Sequence, residues 1–105
     1  MDRNEAIKIA KRYIQNVSNQ YKISGVVLFG SFAKGTHHSD SDINLAIIFE
    51  KLDDIIDMQI KLLSLRTDDD LLIEPHPFQI ADFTSSNPVV SEILKNGIEL
   101  VGFAA

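Results

Sequence analysis

The chain has 105 residues, 45% of them hydrophobic and 24% charged, with 15 acidic against 10 basic side chains and a formal net charge of −5. That length fits a single domain spanning residues 1–105 and the composition is globular, which excludes disordered, collagen-like and coiled-coil chains. A domain of this size buries somewhat under about 70% of its unfolded surface, enough for one core without metal or disulfide staples.

No cysteine is present, so a disulfide framework, a thiol nucleophile and a cysteine zinc site are excluded. The acidic balance speaks against a non-specific grip on nucleic acid, which depends on Lys and Arg neutralising phosphates. The opening MDRNEAIKIAKRYIQNV mixes charge with apolar residues and lacks the apolar stretch of a signal peptide. Nothing approaches the roughly 20 apolar residues of a membrane span. The chain therefore reads as soluble and cytoplasmic, with no membrane partner.

From Arg3 to about Asn19, Ile7, Ala10, Ile14 and Val17 recur at three- and four-residue spacing and predict an amphipathic helix. Val26 to Phe29 is a short apolar run rich in strand formers, ended by Gly30-Ser31. After a polar stretch containing Gly35, His37 and His38, Ile43 to Phe49 predicts a second strand. Both runs are apolar almost throughout, as expected of central strands covered on both faces. Asp53-Asp54 opens a second helix to about Leu65, with Ile55, Ile56, Gln59, Leu62 and Leu63 at helical spacing. Asp68 to Asp70 reads as a turn or strand entry, and Leu71 to Glu74 as a third strand that Pro75 and Pro77 end or confine to an edge. Ser86-Asn87-Pro88 starts a third helix with Val89, Ile93 and Leu94 as its apolar stripe and Gly97 as its stop. Ile98 to Val101 returns as a last strand. The expected fold class is α/β (α+β), a mixed sheet of about four strands flanked by helices.

The chemistry concentrates between the first two strands. Gly30-Ser31 ends one strand, and Asp42 and Asn44 open the next, on one face of it by period-two alternation. Gly30 lets backbone pass close to a ligand, and the Ser31 hydroxyl and neighbouring amides suit a phosphate. Phosphates and carboxylates repel unless a cation such as Mg²⁺ lies between them, and Mg²⁺ is usually held by one or two carboxylates plus the substrate's phosphates. Glu74, at the end of the third strand, supplies a further carboxylate or a base for an attacking hydroxyl. Asp70 competes for that role by parity. Lys34 is a secondary phosphate contact, His37-His38 reads as polar loop, and His76 stands between two prolines at the border of the site.

These residues resemble the minimal nucleotidyltransferases of the DNA polymerase β superfamily, whose signature is Gly-Ser, ten residues, then Asp-x-Asp. Gly30-Ser31 and Asp42 match with the ten intervening residues present. Leu28 to Thr36, Ser41-Asp42-Ile43 and Ile73 to Phe78 also look like family sequence, so the resemblance covers nearly the whole chain. It implies a nucleotidyltransferase fold and transfer of a nucleoside monophosphate from an NTP, ATP foremost, to a hydroxyl, with two Mg²⁺ ions on three carboxylates. Carried over, the catalytic and metal residues are Asp42, position 44 and Glu74, and Gly30, Ser31 and Lys34 face the nucleotide. Stand-alone members of this size resemble antitoxins of toxin-antitoxin pairs whose other half is a helical HEPN protein, which they modify or mask. A homo-oligomer stays open.

The departure is Asn44, where the family has its second Asp. Asn offers one neutral oxygen and cannot help neutralise a metal. Asp40 lies two residues outside the ion-facing geometry and is a poor substitute. Three explanations stay open: a degenerate enzyme, a site with one well-held metal, or an inactivating replacement. The rival to a transferase is a catalytically silent module that covers a HEPN-type partner.

Overall fold

The computed structural model describes residues 1–102. Its elements are α1 (Arg3–Ser18), β1 (Gly25–Phe29), α2 (Ser31–Lys34), β2 (Ile43–Phe49), α3 (Ile55–Ser64), β3 (Ile73–Gln79), α4 (Pro88–Asn96) and β4 (Ile98–Val101), with 3₁₀ turns at Asp68–Asp70 and Ile80–Asp82. The strands form one sheet in the order β3-β2-β1-β4. β1 pairs antiparallel with β2 and with β4, and β2 pairs parallel with β3. The sheet is mixed, four-stranded and flanked by helices, as the apolar runs predict, with β1 and β2 in the centre.

Alternation along the central strands sorts their side chains onto two faces. Val26, Leu28, Ile43, Leu45, Ile47 and Ile73 pack with Ala6, Ala10, Tyr13, Ile14 and Val17 of α1 and with Leu62 of α3. Val27, Ala46 and Ile48 point the other way, onto Phe83 and onto Val90 and Ile93 of α4. The predicted helices are present but rotated. α1 buries Ala6 and Tyr13 beside the predicted stripe, and the Tyr13 hydroxyl donates to the Leu62 carbonyl at 2.6 Å, tying α1 to α3. Burial pushes that phenol well above its ordinary range. Only Leu62 of the predicted α3 stripe is fully buried, while Ile55 and Ile56 face outward. On α4 it is Val90 and Ile93 that are buried, and Val89 and Leu94 are exposed.

Local caps follow the sequence. Asp2, Asp54 and Asn87 each accept a backbone N–H in the first turn of α1, α3 and α4. Gly97 ends α4 for a different reason from the left-handed stop its position suggests. Its φ is −71°, and a Cβ there would lie 2.4 Å from the Ile93 carbonyl and 2.5 Å from Val27 Cγ1. Close approach of α4 to β1, not backbone handedness, requires glycine.

Of the two outcomes expected for the third strand, an end at the prolines or a place at an edge, β3 takes the second and runs through both prolines. β3 is an edge strand, paired on one side only. Ile43 N–H donates to the Leu72 carbonyl at 2.7 Å, so alternation aims the backbone groups of Glu74, His76 and Phe78 at β2 and those of Pro75 and Pro77 away from it. The missing proline donors thus fall on the side where no strand pairs. The Pro75 carbonyl on that side accepts from Gln59 Nε2 of α3 at 3.1 Å.

Candidate active site

The Gly-Ser turn, the start of β2 and the start of β3 meet at one end of the sheet. Phe29 is the register partner of Asn44 on one side, and Glu74 is its partner on the other. Parallel pairing of β2 with β3 therefore sets Asn44 and Glu74 side by side on the α4 face. Asp42 lies just before β2, exposed and at the same parity. Asn44 and Glu74 thus come together from two strands separated in sequence by α3, with Asp42 just ahead of the first.

Gly30 adopts φ 83° and ψ −153°, a region open essentially to glycine alone. A Cβ there would lie 2.8 Å from Asn44 Nδ2, so the turn passes directly over the Asn44 amide. Ser31 follows as the first residue of α2, and its carbonyl accepts from the Gly35 and Thr36 amides. Gly35 closes α2 at φ 78°. Arg3, which carried no signal in the sequence, donates from Nε to the Phe32 carbonyl and from Nη2 to that of Ala33, both at 2.9 Å. The contact joins positions 29 and 30 residues apart, which no local pattern could reveal. It fixes the far end of α2 to α1, and with it the Gly30-Ser31 turn.

His76 enters the site as the neighbour of Asn44. Its Nε2 donates to Asn44 Oδ1 at 3.2 Å in the tautomer protonated there, and its ring packs against Phe29 at 5.2 Å between centroids. Burial holds the imidazole below its ordinary pKa, against the opposing pull of the Glu74 carboxylate. The Lys34 ammonium pairs with Glu92 of α4 at 3.3 Å, an exposed pair worth less than about 1 kcal/mol. The two adjacent histidines diverge: His37 stacks on Phe32 at 4.5 Å, and His38 Nδ1 accepts from the Asp40 amide at 3.2 Å.

Asp70 lies elsewhere. It is not on a strand but completes the 3₁₀ turn before β3, where its Oδ2 accepts from the Thr67 amide and hydroxyl and its side chain is wholly buried. The competing carboxylate is therefore a capping residue, and Glu74 is the one that stands beside Asn44.

The donors at the site suit one divalent cation better than two. One or two carboxylates plus substrate phosphates are the usual set for one Mg²⁺, and Asp42 and Glu74 are the residues that would supply the carboxylates. Among the described residues no three His, Cys, Asp or Glu side chains converge as a metal site. The turn that a Cβ would close, over an amide rather than a carboxylate, gives the second position no charge. A groove of about 650 Å³, lined in part by Pro77, Phe78, Asp82 and Asn87, lies toward the opposite end of the β2–β3 ladder.

A glycine-tight turn over paired strands, with carboxylates at the starts of both, is the arrangement expected of a nucleotidyltransferase sheet. Residues 11–102 match the family model described as polymerase beta, nucleotidyltransferase, and the chain belongs to that family. No curated protein sequence matches the chain. Among solved structures it is similar to a candidate nucleotidyltransferase from Sulfolobus solfataricus, at 18% identity and a TM-score of 0.69, over 92% of this chain and 80% of that one. It is also similar to a toxin-antitoxin structure with AMP-PNP, at 24% identity and TM-score 0.54, over 97% of this chain and 74% of that one. A third is the Shewanella oneidensis complex of a tri-AMPylated HEPN toxin with its MNT antitoxin, at 17% identity and TM-score 0.54, over 95% and 72%. Among the described residues no helix is long and apolar enough to cross a membrane.

Proposed function

We propose that the chain binds a nucleoside triphosphate, ATP foremost, with a divalent cation and transfers its nucleoside monophosphate to a hydroxyl on a HEPN-type protein partner in the cytoplasm. The observation that carries this reading is the Gly30 turn passing over Asn44, with Glu74 in register beside it. The tri-AMPylated HEPN toxin in the Shewanella oneidensis complex supports the choice of acceptor, and the AMP-PNP complex supports the choice of nucleotide.

In this reading Gly30 and Ser31 present backbone amides and a hydroxyl to the phosphates. Asp42 and Glu74 would hold Mg²⁺, which when bound would neutralise phosphate charge and polarise the α-phosphate. Glu74 takes the proton of the acceptor hydroxyl. That oxygen forms a bond to the α-phosphorus as the bond from the α-phosphorus to the bridging oxygen breaks, and pyrophosphate leaves with the electron pair. Lys34 exchanges Glu92 for phosphate as a point charge.

The test is transfer of α-phosphate label from ATP with Mg²⁺ to the HEPN-type partner, for this chain and its Asn44→Asp variant. Label on the partner with either chain is the expected result, faster with the variant. No label with both would refute transfer. Asn44 favours a second reading, a module that masks the partner without chemistry. Its mark is a complex with the partner that withstands high salt without nucleotide and never yields labelled partner.

A further inference from the structure

We infer that Asn44 serves this site as a hydrogen-bond donor to the triphosphate rather than as a metal ligand, and that the chain closes on nucleotide with a single divalent cation. The inference rests on the nucleotide-binding half of the proposed function and is independent of whether transfer follows.

The orientation of one amide carries it. Asn44 has a single oxygen, and that oxygen accepts from His76 Nε2 at 3.2 Å. The other end, Nδ2, faces Gly30, close enough that a Cβ there would lie 2.8 Å away. The edge of position 44 that looks toward the phosphate turn is thus an NH₂ group, a donor of two hydrogens with no acceptor capacity. A cation approaching from that side meets hydrogens; a phosphate oxygen meets a donor. An Asp at position 44 would keep one oxygen for His76 and turn a second, charged one toward Gly30. With Asn the charge is gone and the polarity of that edge is reversed.

His76 is the positioning residue of this arrangement. As the Nε2–H tautomer it requires an acceptor from Asn44, and so selects the orientation with Nδ2 toward the turn. Its ring is held in turn by Phe29 at 5.2 Å. The imidazole, the amide and the glycine turn form one chain of contacts from β3 across β2 to β1. Asp42 and Glu74 remain as the two carboxylates, the number that one Mg²⁺ commonly uses together with phosphate oxygens.

The test counts cations. The full chain is saturated with AMP-PNP and titrated with Mn²⁺. Bound metal is read from the loss of the free-ion electron paramagnetic resonance signal, and bound nucleotide from equilibrium dialysis. One Mn²⁺ per bound nucleotide is expected for the native chain and two for Asn44→Asp. Two on the native chain overturns the inference, and one on both chains removes Asn44 as the cause and overturns it as well. Nucleotide bound by neither chain refutes the nucleotide reading itself, and the inference with it. Asn44→Ala, at saturating Mn²⁺, is expected to weaken nucleotide binding about tenfold or more, the loss of one hydrogen bond to a charged group; unchanged affinity counts against the donor role. The ¹⁵N shifts of His76 in the free chain add a readout that needs no variant. A protonated Nε2 is expected, and a ring protonated only at Nδ1 would place the Asn44 hydrogens on His76 and overturn the assignment.

Discussion

Replacing Gly30 by alanine perturbs the site at its tightest point, and two separate costs can be worked out for it. The first is conformational: φ 83° with ψ −153° lies where a side chain is strained, at roughly 1–3 kcal/mol. The second is contact. The new Cβ would sit 2.8 Å from Asn44 Nδ2, so the amide has to give way, and its hydrogen bond from His76 is lost with it at about 1 kcal/mol. The sum is about 2–4 kcal/mol, a large part of the stability of a domain this small. Urea unfolding followed by circular dichroism reads it directly, as a midpoint lowered by about 1–2 M for a slope near 2 kcal/mol per M. Gly35→Ala is the control. It shares a positive φ of 78°, but among the described residues its Cβ would meet only Arg3 Nη2 at 3.4 Å, so about 1 kcal/mol is expected. In the background of Asn44→Ala the contact part should vanish, leaving Gly30→Ala about 1 kcal/mol less costly. Equal costs at Gly30 and Gly35, with no coupling to position 44, would refute the close packing of the turn on the amide.

Other outcomes follow from single contacts. Leu62→Ala removes a wholly buried side chain between α1 and α3 and should cost about 2–5 kcal/mol in the same urea assay. Tyr13→Phe leaves the Leu62 carbonyl without the 2.6 Å donor and should cost about 1–3 kcal/mol; no change would mean the carbonyl finds another partner. Arg3→Ala frees the Phe32 and Ala33 carbonyls and should raise amide hydrogen exchange in α2 more than in β2. For the metal-free chain, the lowered pKa of His76 fixes the sign of a pH effect. The folded state binds the proton less readily than the unfolded one, so the stability is fully present above the ordinary histidine pKa near 6.5 and falls as pH drops through the folded value. His76→Gln should flatten that slope, and a histidine titration midpoint above 6.5 by NMR would contradict the burial.

Much of this molecule is legible in its sequence because the relevant forces are local. Apolar runs at Val26–Phe29 and Ile43–Phe49 predict the two central strands, and Asp54, Asn87 and Pro88 mark helix starts through hydrogen bonds made within a turn. The ten-residue interval from Ser31 to Asp42 is likewise a property of the chain, and it points to the family that residues 11–102 match. What local pattern misjudged is the rotation of helices. Ile56 and Val89 satisfy helical spacing yet face outward, because which stripe is buried depends on the sheet a helix lands on.

Only the tertiary structure decides which carboxylate stands in the site. Asp70 and Glu74 share strand parity on paper, but the chain folds a 3₁₀ turn at Asp68–Asp70 that turns Asp70 back on Thr67, while parallel pairing sets Glu74 opposite Asn44. The passage of β3 through two prolines has the same origin: it depends on β3 being the edge strand, a fact about neighbours rather than about residues 73–79. So does the orientation of the Asn44 amide, fixed by a histidine 32 residues away. Sequence determines which residues can make a strand, a cap or a phosphate turn, since those bonds close within a few residues. Pairing across strands determines what those residues meet, since a side chain's partner in a sheet is set by register and not by distance along the chain.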